Sequence, residues 1–209
     1  RPAVVYAVSE TVIISQIYGG GGNSEAEYKN DFIELFNRGN TPINLIGWSV
    51  QYASASGSTW QVTPLSGVLQ PGQYYLIQQA SGSGGTQDLP DPDAIGSIAM
   101  SATSGKVALV NSQTALSGAC PDSASIIDLV GYGTPNCFEG RPALTLSNTT
   151  AAKRVQNGCQ DSDDNLLDFS ITAPAPRNST SAATDCSMVP QIIPIYNIQG
   201  EAESSPLIG

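Results

Sequence analysis

The sequence predicts an all-β sandwich. Short runs with apolar residues at every second position recur from residue 11 to about residue 175, Gly, Pro and Asn punctuate them, and no segment sustains a helical period. A chain of 209 residues is long enough for one such sandwich with extended flanks, and too short for a second full domain of the same kind beside it.

The strands follow in order. Val12 to Tyr18 is the first, and the Gly19-Gly20-Gly21-Gly22 run after it permits a turn. Phe32 to Phe36 is the second. In Trp48-Ser49-Val50-Gln51-Tyr52 a strand turns Trp48, Val50 and Tyr52 to one face and shows Ser49 and Gln51 to water. Trp60 to Val62 is followed by Tyr74 to Ile77, which Gln70-Pro71-Gly72-Gln73 introduces as a β-turn with proline fixing φ. Lys106 to Val110 and Ile126 to Val130 complete the set. Trp48 and Trp60 read as core residues. Ala173-Pro174-Ala175-Pro176 and the stretch from Asn178 to Thr184 read as an extended linker.

Composition excludes several functions. Eight basic against eighteen acidic residues give a formal charge of −10, and the basic residues are scattered, so direct nucleic-acid binding is not expected. No run is long and apolar enough for a membrane span. The absence of histidine removes Ser-His-Asp and Cys-His catalysis and a histidine-bearing nuclease centre. Asp88, Asp91 and Asp93 crowd a Pro-containing loop whose spacing is that of a solvated turn rather than an acid–base pair. Four cysteines without CxxC spacing read as two disulfides, hence an oxidising compartment and a secreted or cell-surface protein whose export signal has been removed.

Several runs together resemble one family. They are Val12-Ile13-Ile14-Ser15-Gln16-Ile17-Tyr18-Gly19-Gly20, Asn30 to Asn37, Leu45 to Tyr52, Leu69 to Ile77, Gly105 to Leu109 and Asp128 to Gly133, with Asp161 to Asn165, Asp168-Phe169 and Pro174 to Asn178 behind them. In this order they resemble the bacterial lamin-tail domain over residues 11–179. The resemblance implies an immunoglobulin-like β-sandwich of the non-catalytic kind that accompanies secreted hydrolases, notably endonuclease/exonuclease/phosphatase-type nucleases. It divides the chain into an N-terminal extended segment (1–10), the sandwich (11–179), and a linker with a C-terminal strand (180–209). Residues 198–209 look like the opening of the OB-like domain that follows in such nucleases.

Sequence alone leaves three disulfide connectivities open. Proximity and cysteine placement in the resembled family favour Cys120 with Cys137 and Cys159 with Cys186. Asp161, Asp163 and Asn165 repeat the alternate oxygen spacing of a calcium loop, with Asp168 as an added ligand. Leu166 and Thr172 depart from the EF-hand pattern, and the other reading is an acidic turn whose side chains bond nearby amides. No other cofactor is expected. Asn148-Thr149-Thr150 and Asn178-Ser179-Thr180 read as loops.

The apolar ends carry the functional expectation. Val4, Val5, Tyr6 and Val8, and Ile192, Ile193, Ile195 and Ile198, are β-prone runs outside the sandwich. They fit donation to a sheet edge of another copy or of a cell-envelope protein, which repeated head to tail builds a filament or surface layer. The expected function is thus a secreted interaction and assembly module. The alternative is an accessory N-terminal domain of a secreted metal-dependent nuclease whose catalysis lies downstream.

Overall fold

The computed structural model describes residues 9–188. The terminal runs from Val4 to Val8 and from Ile192 to Ile198 lie outside the described residues.

Twelve strands form the fold: β1 (Val12–Tyr18), β2 (Asn30–Asn37), β3 (Ile43–Asn44), β4 (Ser49–Ser54), β5 (Gln61–Pro64), β6 (Val68–Leu69), β7 (Tyr74–Ser81), β8 (Ala94–Ile95), β9 (Gly105–Val110), β10 (Ile126–Tyr132), β11 (Ala151–Arg154) and β12 (Phe169–Thr172), with one helical turn, α1 (Asn165–Asp168), before the last. One sheet runs β12-β11-β1-β2-β7-β8, the facing sheet runs β10-β9-β4-β5, and β3 pairs with β6. This is an all-β sandwich, as the alternating runs predict, and of the immunoglobulin-like kind that the family resemblance implies. The core lies between the sheets, with Val12, Ile14, Ile17, Ile33, Leu35 and Ile77 from one side and Val50, Val107, Leu109 and Val130 from the other. A bulge between Ile14 and Gln16 returns Ile17 to the core face and leaves Gln16 on the outer one.

The sequence pattern suggests one wet face per strand, and the structure departs from it. Ser49 and Gln51 are fully buried. The loop after β9 covers them, with Ser49 Oγ donating to Ser112 O at 2.6 Å and the Gln51 amide bonding Thr114 O and Leu116 N at 2.9 and 2.8 Å. Trp48 is half-buried at the core margin, while Trp60 is buried beneath that loop and donates to Gly118 O. Lys106 is also fully buried, and its ammonium holds three loops together through Gly57 O, Ala119 O and Asn136 Oδ1.

Both disulfides join consecutive cysteines, Cys120 with Cys137 and Cys159 with Cys186. The stretches Ala173 to Pro176 and Asn178 to Thr184, expected as a linker, are instead packed across the outer face of the six-stranded sheet. The partners there are the buried polar side chains Gln16 and Glu34, which composition alone does not reveal.

Candidate functional site

The six-stranded sheet is wider than its partner. β10 ends the smaller sheet and packs on β1, so β11 and β12 extend beyond it. Arg154 stands on β11 at that overhang. It shares the inward parity of Ala152, and its side chain is fully buried.

The guanidinium is bonded on every side. Nη2 meets Asp128 Oδ2 at 2.9 Å, Nη1 meets Asp161 Oδ1 at 3.0 Å, Gln160 O at 3.1 Å and Asp168 Oδ2 at 3.5 Å, and Nε donates to Ile14 O at 2.8 Å. Asp128 in turn accepts the Ile14 amide at 2.6 Å. β11 pairs with β1 at Gln16 and Ile17, so beyond them the Ile14 main-chain groups are satisfied by these two side chains in place of a strand. The Phe169 ring lies 4.5 Å from the guanidinium carbon.

Four buried carboxylates (Asp128, Glu139, Asp161 and Asp168) thus face the guanidiniums of Arg154 and Arg38, the latter 3.8 Å from Asp161. Burial raises the Asp128 carboxyl to about 6 even against the pull of Arg154. Burial, with Asp128 close by, pushes Glu139 well above the usual carboxylate range. Burial alone would lower the Arg154 pKa, but Asp128, Asp161 and Asp168 outweigh it and hold the guanidinium charged.

The expected calcium ligands are placed as follows. Asp161 and Asp168 meet on Arg154 Nη1. Asp161 also takes the Ser9 amide, and Asp168 the amide and hydroxyl of Ser162. Asn165 turns away toward β10. Asp163 adopts a positive φ of 54°, with its carboxyl raised to about 7 by burial and by Asp161. Asp164 caps α1 by accepting from Leu166 and Leu167, the geometry of an acidic turn. Oxygens of Asp128, Glu139 and Asp161 do lie within 4.8 Å of one another. Two of those three carboxylates are already bonded to the guanidinium, which supplies the positive charge there.

The same side chains close the free edge of β10. Ile127 O accepts from Ser9 Oγ, and Leu129 N donates to Glu139 Oε1. The Asn165 amide bonds Leu129 O and Gly131 N, and Gly131 O accepts from Ala143 N. From the Ile127 carbonyl to the Gly131 carbonyl, each of these outward groups has a partner without a neighbouring strand. Two other edges are poor templates, since β5 ends in Pro64, which has no amide hydrogen, and β8 has two residues. Among the described residues the β12 edge has no neighbouring strand. Val155 N bonds Asp168 O, so the register turns the N–H and C=O of Ile171 outward, and the Ile171 side chain is 38% exposed.

The outer face carries a second constellation. Gln16, Glu34 and Leu76 form one cross-strand row on β1, β2 and β7, and Asp93 extends it by accepting the Leu76 amide. Residues 175–179 lie across this row. Gln16 bonds both main-chain groups of Ala175, at 2.9 and 2.8 Å. The Glu34 carboxylate, held by Ser15 Oγ, accepts the Arg177 amide at 2.7 Å and its guanidinium at 2.7 and 3.2 Å. Arg177 stacks 3.6 Å from the centre of the Tyr74 ring. Asp93 takes the amide and hydroxyl of Ser179, whose carbonyl accepts from Gln73 Nε2 at 2.8 Å. Beyond it Thr184 N bonds Gly72 O. Gly72 has a φ of 72°, and a Cβ there would meet Thr184 O at 2.5 Å, so both turn and strap require glycine.

An open groove of about 840 Å³ follows the strap, lined by Glu10, Arg38, Asn40, Thr184 and Asp185 among others. Both ends of the described chain thus reach one rim of the sandwich.

Fold and site together define a disulfide-bonded, immunoglobulin-like sandwich whose clustered acids are spent on internal bonds. Residues 7–134 match the family model of the Lamin Tail Domain, and the chain belongs to that family of non-catalytic immunoglobulin-like domains. No curated protein matches the chain. Among solved structures it is similar to a DUF4876 family protein from Bacteroides thetaiotaomicron VPI-5482, with a TM-score of 0.56 and 14% identity over 86% of this chain and 75% of that one. That likeness concerns the fold. The strands β11 and β12, Arg154 and the strap all lie beyond the residues the family model matches. Among the described residues no helix is long and apolar enough to cross a membrane.

Proposed function

We propose that the chain is a non-catalytic interaction module of a secreted or cell-surface protein, and that copies of it associate through the β12 edge. The observation that carries this reading is the unequal treatment of the sheet edges. β10 is closed group by group, whereas among the described residues the outward main-chain dyad of Ile171 on β12 has no partner, beside the exposed Ile171 side chain. Two disulfides among the described residues support an oxidising location. The scarcity of basic side chains supports protein rather than nucleic-acid partners.

Accessory-domain status in a secreted nuclease is a variant of the same role, with the partner in the same polypeptide. It rests on residues 198–209, outside the described residues.

Sedimentation velocity over a concentration series tests the proposal. The native chain is expected to associate as concentration rises, and Ile171→Lys, which charges the edge without removing a ladder bond, is expected to hold it monomeric. A native chain that stays monomeric throughout, or an Ile171→Lys chain that associates equally well, overturns it.

A further inference from the structure

We infer that the outer face of the six-stranded sheet is a binding site for an extended, arginine-bearing peptide, and that the chain's own residues 175–179 occupy it in cis. The inference rests on reading the chain as an interaction module and names a partner chemistry that the edge does not.

The contacts to the cross-strand row fall on residues 175, 177 and 179, with Asn178 reaching aside to Asp91 O at 2.9 Å, and the extended stretch ends in a turn over residues 178–181. Three of them are independent of side-chain identity. Gln16 pairs with the N–H and C=O of Ala175 as a neighbouring strand would, Glu34 takes the Arg177 N–H, and Asp93 with Gln73 brackets the main chain of Ser179. Two contacts select chemistry. A carboxylate bonded by two guanidinium nitrogens above an aromatic ring fits arginine and not lysine, and Asp93 with the hydroxyl selects serine or threonine. Pro174 and Pro176 favour the extended form before it docks.

A segment that only shields a sheet would lay apolar side chains on it. On β1 and β2 this row is polar instead, with Gln16 and Glu34 fully buried beside Ser15, and the ion pair of Glu34 is made with Arg177. With the strap lifted, the row becomes an open acid-and-amide track beside Tyr74. The strap is held at one end by β12 and at the other by the Cys159–Cys186 disulfide, so its high local concentration keeps a competing peptide off as long as Arg177 supplies its contacts to Glu34 and Tyr74.

The test uses the full chain carrying Arg177→Ala, which loosens the strap and leaves the disulfide and Glu34 in place. The probe is a fluorescent peptide copying residues 173–181, followed by anisotropy. The expected result is binding to Arg177→Ala, at least about tenfold weaker binding of the same peptide with alanine for its arginine, and no binding to the native chain. A folded Arg177→Ala chain that does not distinguish the two peptides overturns the inference. If that variant does not fold, native-state hydrogen exchange on the unaltered chain decides. The amides of Ala175, Arg177 and Ser179 are expected to open at least about a hundredfold more readily than those of Ile33 and Leu35. Equal protection makes the strap an inseparable part of the fold and overturns the inference. Sedimentation of the Ile171→Lys chain is independent of either result, so failure here and failure of edge association are read separately.

Discussion

Replacing Arg154 by methionine keeps much of the side-chain volume and removes the charge on which Asp128, Asp161 and Asp168 converge. Taking one partner from a buried ion pair costs about 3–5 kcal/mol, because the other charge is left unpaired in a poorly solvated site. Three carboxylates share this guanidinium, and the Ile14 carbonyl loses its donor as well, so the upper part of that range is expected at pH 7.5. For a domain stable by about 5–15 kcal/mol, the change removes a large share of the total. The loss should also depend on pH. Without the guanidinium the carboxylates bind protons more readily in the folded state than in the unfolded one, and each such group restores up to about 1.4 kcal/mol per pH unit as the solution is acidified. Urea unfolding followed by the fluorescence of Trp48 and Trp60, at pH 7.5 and pH 5, measures both effects. A loss below about 1 kcal/mol at pH 7.5, or a loss that does not shrink on acidification, refutes the assignment of Arg154 as the ionic clamp of the overhang.

Further outcomes follow from the same contacts. Burial raises Asp31 to about 7 and Asp128 to about 6, and Glu139 lies well above its usual range. Between the unfolded carboxylate value near ~4 and these folded values, the folded state holds more protons than the unfolded state, so these groups make stability fall as pH rises through about 6–7. The urea midpoint of the native chain is therefore expected to be higher at pH 5 than at pH 7.5, and a rise from pH 5 to 7.5 contradicts this. Asn165→Ala removes the amide that closes the β10 edge. It should cost about 2–3 kcal/mol in urea unfolding through unpaired buried main-chain groups, and should make association stronger by sedimentation. Calcium bound at about 10 μM would raise the melting temperature by about 5–10 °C at about 1 mM calcium. With Asp161 and Asp168 already on Arg154, a calorimetric scan is expected to show no such shift between calcium and chelator.

The strands were readable because apolar, β-prone runs are separated by turn residues and in places alternate with polar ones, as Trp48 to Tyr52 shows. What lies outside each face was not readable. Ser49 and Gln51 look like surface residues in a strand, and only the loop that returns over them after β9 makes them interior. Arg154 carried a usable signal. In Ala151-Ala152-Lys153-Arg154 it shares parity with Ala152, which places its side chain on the core side, where a guanidinium demands carboxylates. The acidic run was visible in sequence, but the cluster it joins was not, because Asp128 reaches Arg154 and Asp161 only through the sheet topology. The strap was missed for a different reason. Proline, alanine and serine read as a linker by composition, and its docking depends on Gln16 and Glu34, which in a strand pattern look solvated. The order of the cysteines was a better guide, since the first pairs with the second and the third with the fourth.

The claim that the outer sheet face is a recognition surface is tested most directly by amide chemical shifts of the Arg177→Ala chain as the peptide copying residues 173–181 is added. The predicted result is a set of shifts confined to Gln16, Glu34, Tyr74 and Asp93 with their strand neighbours. Shifts centred elsewhere, or none at saturating peptide, contradict it.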